Sequence, residues 1–151
     1  MQKIKDTNNM GYYLNCYILT LNKSHQTFIN PHLKENNLSY NQYELILRIY
    51  HDEGSIQREI ASACGIGKCG TSRSLRLLED KGLIIKEMDE NNRRSYKLFL
   101  TEKGKKIIEN IIEKEIHWED YICEKMKIEK EELFQMLNKA CIGSTELIHN
   151  D

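Results

Sequence analysis

The feature that most constrains the fold is the order of patterns between Ser55 and Leu100. Two short amphipathic helices are predicted there, separated by a turn at residues 64–67, and two short strands follow around a polar, basic turn. Gly65 and Gly67 allow the tight turn because glycine adopts backbone conformations that other residues avoid. The order helix, turn, helix, strand, hairpin, strand predicts a winged helix-turn-helix, which holds one helix where it can enter a DNA groove.

Local start and stop signals mark the individual helices. Ser39 followed by Gln42 is a capping box, which predicts that a short helix begins there. Ser55 is predicted to be the N-cap of the first helix of the pair. The second helix of the pair is predicted to start at Lys68, and Gly82 lies where a glycine would end it.

Periodicity also predicts which side chains face a core. Alternating residues predict strands over residues 83–88 and 95–100, joined by a polar turn at residues 89–92. In the preceding helices, helical spacing predicts the following inward side chains: Tyr43, Ile46, Leu47, Tyr50, Ile56, Ile60, Ala63, Thr71, Leu75 and Leu78. A winged helix needs little more than residues 39–100, so the flanking segments require another explanation.

Longer amphipathic helices are predicted on both sides of this block. Apolar residues at helical spacing mark one helix from Gly11 to about His32, with Pro31 near its end. Thr101 is predicted to cap a long helix after the second strand, and a last helix covers roughly residues 130–148. Because their apolar faces exceed what one winged helix can cover, pairing of two copies through these arms would bury them.

The predicted fold class is therefore mainly α with a small antiparallel β-wing. We expect an N-terminal dimerisation helix in residues 1–38, a winged helix-turn-helix DNA-binding domain in residues 39–104, and C-terminal dimerisation helices in residues 105–151. A chain of 151 residues, 40% apolar and 30% charged, is long enough to bury a core. Its single proline is consistent with long helices.

Composition excludes some classes of protein and predicts a compartment. No apolar run approaches the roughly 18 residues of a membrane-spanning helix, so no membrane association is expected. The N-terminal sequence MQKIKDTNNMGYY starts with polar residues and does not resemble a signal peptide. Five cysteines without an export signal favour free thiols in the cytoplasm.

Charge is distributed unevenly although the net charge is only -1. Residues 54–106 contain twelve basic and seven acidic side chains, which gives this segment a charge of +5 and the remainder of the chain -6. A basic centre between acidic helical arms is the pattern expected of an anion-binding module. Double-stranded DNA is the partner that fits both the charge and the predicted fold.

The candidate contact residues follow from the predicted elements. The second helix of the pair is predicted to present six residues to the major groove: Lys68, Cys69, Gly70, Ser72, Arg73 and Arg76. Arg93 and Arg94, at the predicted tip of the hairpin, are placed to reach a minor groove or phosphates. Ser55 and Gln57, which open the preceding helix, are predicted to contact phosphate.

Several segments of this block resemble the MarR family of transcriptional regulators. They are Ser72-Arg73, the segment LEDKGL at residues 78–83, the pair Arg93-Arg94, and LTEKG at residues 100–104. The resemblance covers about residues 39–107 in register, and the flanking helices fit the family layout. The order and spacing of the segments, rather than any one of them, make the resemblance specific.

The resemblance implies an obligate homodimer with interleaved terminal helices, in which each copy places its recognition helix in a major groove of a pseudo-palindromic operator. Family members usually repress transcription, and many release DNA on binding a small phenolic or other ligand, a metal, or an oxidant. The family commonly has Asp-Arg-Arg at the wing, where this chain has Asn92 before the two arginines. Because many family members respond to such ligands, the resemblance also implies a small-molecule effector.

Cysteines offer alternative functions. Cys16, beside tyrosines of the first helix, and Cys69, on the predicted DNA face, could act as redox sensors, although core packing is the favoured role of Cys16. Cys64 and Cys69 could be the thiols of an enzyme or half of a metal site. A closed zinc site needs four ligands, and we favour Cys64 as a buried, small apolar residue.

Other motifs do not support a cofactor. Gly65, Gly67 and Gly70 match the dinucleotide-binding pattern, but the predicted element before them is a helix rather than the strand that this motif needs. His117 is followed four residues later by Tyr121, so the His-x-x-x-His pair of zinc-sensing relatives is missing. We expect no cofactor, no metal and no enzymatic activity. A winged helix used only for protein contacts remains the alternative.

Overall fold

A computed structural model describes residues 13–64, 67–90 and 92–149. Helices and two strands follow one another in this part of the chain. They are α1 (Leu14–Glu35), α2 (Tyr40–His51), α3 (Gln57–Cys64), α4 (Lys68–Asp80), β1 (Ile84–Asp89), β2 (Asn92–Leu100), α5 (Glu102–Met126) and α6 (Lys130–His149). The strands form one antiparallel sheet, so the predicted winged helix-turn-helix with flanking helices is confirmed.

Two of the predicted helix boundaries rest on the expected hydrogen bonds. The backbone N–H of Gln42 donates to the Ser39 hydroxyl at 3.3 Å, and the Gln42 side chain accepts from the Ser39 N–H at 3.1 Å. At the end of α4, Gly82 adopts a φ of +66°, and the Leu83 N–H donates to the carbonyl of Leu78 at 3.0 Å. The capping box and the terminal glycine are therefore both confirmed.

The core lies between α2 and the elements packed around it. The fully buried side chains come from all parts of the winged domain and from α1 and α5: Ile29, Leu33, Leu45, Ile46, Ile49, Ile60, Leu75, Leu78, Leu83, Ile84, Leu98 and Ile108. Leu45 and Ile49 were not predicted to face inward, but α2 packs on several elements at once and is buried on more than one side. Ala63 is exposed, contrary to prediction, because α3 turns Ile60 and Cys64 inward instead.

The first helix of the pair begins at Gln57, so the prediction that Ser55 is its N-cap is wrong. Ile56 forms a β-bridge with Lys97, and the Leu98 N–H donates to the carbonyl of Ser55 at 3.1 Å. Residues 55 and 56 are therefore extended against β2 rather than helical. Sequence periodicity missed this because the pairing joins positions more than 40 residues apart.

The wing is longer than predicted, because β2 begins at Asn92 rather than Ser95. The register runs from Ile84 opposite Leu100 to Met88 opposite Tyr96, and the next pair is Asp89 opposite Asn92. Residues 93–95 therefore form a bulge at the start of β2. Arg93 and Arg94 belong to β2 and lie in this bulge, close to the end of the hairpin where the chain turns. The bulge is closed by the Ser95 hydroxyl, which donates to the carbonyl of Asn92 at 3.0 Å.

The terminal helices leave much apolar surface open. The first half of α1 is exposed throughout, including Leu14 and Ile18, although its second half buries Ile29 and Leu33. Nearly all of α6 is exposed, and Leu147 has 69% of its surface accessible. No helix in the described ranges is long and apolar enough to cross a membrane. The apolar faces of α1 and α6 are therefore open in the single chain.

Candidate nucleic-acid interface

α4 has two chemically different faces. Thr71, Leu75 and Leu78 are buried against the core. Ser72, Arg73 and Arg76 are exposed on the other side of the helix. Because α4 is anchored by its apolar face, its polar face is held outward with two guanidinium groups available to a large partner.

The beginning of α4 is built from small residues. Cys69 and Gly70 are exposed, and Gly67 precedes the helix with open space around its Cα. Small side chains at this position allow the helix backbone to approach another surface closely. Lys68 is the first residue of α4, but its side chain lies outside the described part of the structure. The exposed residues predicted for this helix therefore share one surface.

A hydrogen bond between helices fixes one of the predicted contact residues. The side-chain amide of Gln57 donates to the Ser72 hydroxyl at 2.6 Å. Gln57 is predicted to contact phosphate, and in the structure it is also a hydrogen-bond partner of Ser72. No local pattern could have revealed this bond, because it crosses the turn between α3 and α4. Ser55, the second residue of that prediction, lies in the segment paired with β2.

Ion pairs connect β1 to α4 and to β2. The Lys86 ammonium lies 2.6 Å from the carboxylate of Glu79, which joins β1 to the last turn of α4. Lys97 on β2 lies 3.7 Å from the carboxylate of Asp89 on β1. Both lysines were counted in the basic block, yet each has an acidic partner. These two lysines therefore contact acidic neighbours, whereas Arg73 and Arg76 are exposed on α4.

An acidic residue, Asp89, lies across the wing from the position where the resemblance leads one to expect Asp. The sequence has Asn92 where the resemblance leads one to expect Asp, and Asp89 lies directly opposite Asn92 in the β-ladder. The Ser95 hydroxyl, 3.4 Å from the Asp89 carboxylate, connects that residue to the bulge. The side chains of Arg93 and Arg94 lie outside the described part of the structure, so only their backbone position in the bulge is established.

The cysteines are separate from one another and differ in environment. The Cys64 thiol is half-buried and donates to the carbonyl of Glu44 at 3.8 Å. Burial raises the pKa of this thiol, and the nearby Glu44 charge raises it further, so Cys64 stays protonated and weakly nucleophilic. Cys69 and Cys16 are exposed. The prediction that Cys16 packs in the core is therefore wrong for the single chain, because Cys16 lies on the exposed first half of α1.

Metal ligands are not grouped in the described residues. Nowhere in residues 13–64, 67–90 and 92–149 do three His, Cys, Asp or Glu side chains come together in a way that could hold an ion. His25 and His117 lie on different helices, and His25 contacts Glu115 rather than another histidine. The exposed face of α4 and the wing are thus the candidate site.

Comparison with known sequences identifies similar regulators. A family model described as the MarR family matches residues 36–95. The HTH-type transcriptional regulator YybA of Bacillus subtilis (strain 168) is 38% identical over 78 residues. That match covers 52% of this chain and 52% of YybA, so the aligned segment spans about half the length of either protein.

Comparison with solved structures extends the similarity to nearly the whole chain. A crystal structure of MarR superposes with a TM-score of 0.79 at 30% identity, covering 94% of this chain and 97% of that one. NadR in complex with 4-hydroxyphenylacetate superposes with a TM-score of 0.77 at 21% identity, covering 89% and 94%. The likeness to NadR concerns the fold, whereas the likeness to MarR includes the sequence.

Proposed function

The chain belongs to the MarR family of transcriptional regulators, and we propose that it binds a pseudo-palindromic operator as a homodimer and in this way controls transcription. The observation that carries the proposal is the exposed face of α4. Ser72, Arg73 and Arg76 project from a helix whose opposite side is anchored by Leu75 and Leu78. A helix presented in this way fits the major groove of B-DNA.

Each proposed contact has a chemical role. Arg73 and Arg76 can donate two parallel hydrogen bonds to O6 and N7 of guanine. Ser72 and the closely approaching backbone at Cys69 and Gly70 suit base edges and phosphates. Lys68 is proposed to contact the major groove together with these residues, Ser55 to contact phosphate, and Gln57 to act through its bond with Ser72. Arg93 and Arg94 are proposed to reach the adjacent minor groove or its phosphates from the bulge of the wing.

The open apolar arms support the homodimer. Residues 1–38 and 105–151 are proposed as dimerisation segments around the DNA-binding unit 39–104. In the described part of these segments, Ile18 of α1 and Leu147 of α6 are mostly exposed. Contiguous exposed apolar surface of this kind is typical of protein interfaces. Two copies joined through their arms would place two α4 helices on one side of a DNA duplex, about one helical turn apart.

Regulation is proposed to follow the family. The protein is proposed to be a cytoplasmic repressor without enzymatic activity, released from DNA by a small molecule, and NadR, which binds 4-hydroxyphenylacetate, provides a precedent within this fold. A second candidate is a thiol-based sensor. It is favoured by the exposure of Cys16 and Cys69, since oxidation of Cys69 would add bulk and polarity to the face of α4.

The proposal is tested by selecting bound duplexes from a random DNA pool and titrating the best one at several salt concentrations. We expect a palindromic sequence to be enriched, and affinity to fall steeply with salt because phosphate contacts release counterions. Light scattering should give the mass of a dimer for the protein alone, and the mass of one dimer plus one duplex for the complex. Failure to bind any duplex at low salt would favour the alternative of a winged helix used for protein contacts.

A further inference from the structure

A hydrogen-bonded cluster joins α1, α5 and the first turn of α2. Nε2 of His25 lies 2.8 Å from both carboxylate oxygens of Glu115, and Nδ1 of His25 lies 3.2 Å from the Tyr40 hydroxyl. The Tyr43 hydroxyl donates to the same Glu115 carboxylate. Trp118 packs edge-on against the His25 ring, with 4.9 Å between ring centroids. One carboxylate therefore connects three helices.

The cluster is largely buried and hydrogen-bonded. His25 and Glu115 each expose only 15% of their side chains. Burial and the Glu115 hydrogen bond raise the pKa of the Tyr43 phenol, so it remains protonated and acts as a donor at physiological pH. Hydrogen bonds to a charged acceptor are stronger than neutral ones, and they strengthen further away from water. Glu115 thus fixes the start of α2 against the arms.

The same turn of α2 is bound on its other side to the end of α4. The side-chain carbonyl of Gln42, which is only 4% exposed, accepts from the Lys81 ammonium at 3.0 Å. This ammonium also donates to the carbonyl of Asn37, just before α2. Lys81 is the residue that closes α4. The last turn of the recognition helix is therefore tied to the turn that Glu115 holds.

We propose that residues 39–43 form a positioning joint, through which Glu115 on one side and Lys81 on the other set the direction of α4 relative to the dimerisation arms. This inference rests on the proposed function, because the direction of α4 matters only if two copies read one duplex. Tyr43 and Gln42 are adjacent in the chain, so a shift of α5 that moves the Glu115 carboxylate moves the acceptor of Lys81 as well. Neither residue touches DNA in this proposal; both act on the spacing between the two recognition helices.

The test uses duplexes that carry the selected operator with its half-sites moved one or two base pairs closer together or further apart. The variants are Glu115→Gln, Tyr43→Phe and Lys81→Met, each of similar size to the parent residue. Glu113→Gln is the matched control, because Glu113 is exposed on α5 and lies on the opposite side of that helix from Glu115. A duplex with a single half-site reports on folding and on the intact DNA-binding surface.

We expect the parent protein to prefer one spacing by at least tenfold and the three variants to prefer it by less than threefold. Their affinity for the single half-site should stay within twofold of the parent, and Glu113→Gln should match the parent on every duplex. The double variant Glu115→Gln/Lys81→Met should keep a spacing preference as large as that of the more strongly affected single variant, since both changes interrupt the same connection.

The inference is overturned if the variants keep the tenfold spacing preference, or if they lose affinity equally on all duplexes including the single half-site. In those cases the proposed DNA-binding function stands, because the parent still selects an operator. If the parent itself binds no duplex, the proposed function and the joint are both rejected. Thermal unfolding of each variant accompanies the titrations, so that loss of fold is recognised directly.

Discussion

Gln57 of α3 and Ser72 of α4 are joined by a side-chain hydrogen bond of 2.6 Å. The bond joins the first helix of the pair to the second at the exposed surface. It orders the Ser72 side chain before any partner arrives, and preorganised groups lose less conformational freedom on binding. Gln57 is thus part of the candidate interface through Ser72.

Gln57→Ala is expected to weaken operator binding by about 1 kcal/mol, the net contribution of one hydrogen bond, or roughly five- to tenfold. The physical reason is the loss of order at Ser72 rather than of a charge. Fluorescence anisotropy with the selected duplex measures the effect. In a Ser72→Ala background the same substitution should have no further effect, and an undiminished loss there would assign Gln57 a direct contact instead.

Arg73→Ala is expected to cost about 1–3 kcal/mol on the operator and to relax the preference at the contacted base pair, since a bidentate contact to guanine is lost. Arg94→Ala should instead weaken all sequences by a similar factor and reduce the dependence of log affinity on log salt by about one. Titrations on operator and scrambled duplexes separate the two. Arg48→Ala, whose guanidinium pairs with Asp52 at 2.7 Å on α2, is the control and should leave both affinities unchanged.

Features encoded locally could be predicted from the sequence. Ser39 with Gln42 and the glycine at residue 82 act through bonds that span only three to five residues, so their pattern was visible. Leu75 and Leu78 follow from helical periodicity in the same way. These positions were sufficient to predict the helix pair and which face of α4 is exposed.

Features that depend on distant pairing could not be predicted. Ser55 carries the signature of an N-cap, but its segment pairs with β2, and the ladder bonds outweigh the local preference. The bulge at residues 93–95 depends on the register of β1 with β2, and a one-residue change in register leaves no trace in composition. The bond between Gln42 and Lys81 joins residues 39 positions apart. All three features depend on contacts between residues that are far apart in the sequence.

Gly104→Ala is expected to destabilise the fold by about 3 kcal/mol, at the upper end of overpacking effects. A Cβ at this position would lie 2.1 Å from the carbonyl oxygen of Leu83, which is backbone and cannot rotate away. The Leu83 carbonyl also accepts from the N–H of Thr101, so moving it breaks the junction between the wing and α5. Urea unfolding measures the loss. Gly67→Ala, where a Cβ meets nothing within 4 Å, should cost less than about 1 kcal/mol.

Stability should depend on pH through Glu44. Burial raises the pKa of this carboxyl above its usual 4.5, and the charge of His25 opposes the shift. A raised pKa means that the folded state favours the protonated acid, so the stabilisation is complete below pH 4.5 and is lost as the pH rises through the folded-state pKa. Glu44→Gln cannot ionise and should therefore unfold at a higher temperature than the parent at pH 7. The gain in the free energy of unfolding should be less than about 1 kcal/mol, because the side chain is partly exposed.

The comparison is made by thermal unfolding at several pH values from 3.5 to 7.5. The difference between variant and parent should shrink to zero toward the acidic end. Glu109→Gln serves as the control, since Glu109 is exposed on α5. A Glu44→Gln variant that is less stable than the parent at pH 7 would contradict the assignment of burial as the dominant cause.

Ile18→Glu is expected to separate the dimer and lower operator affinity by about 100-fold or more, because two linked half-site contacts become two independent ones. Ile18 is 55% exposed in the single chain, so a charge there does not disturb the core, whereas a dimer interface would have to bury it without a partner. Sedimentation equilibrium gives the mass, and anisotropy gives the affinity. His51→Glu, which places the same charge on the exposed end of α2, should remain dimeric. An Ile18→Glu protein that stays dimeric and keeps its operator affinity would show that the dimer interface does not include this part of α1.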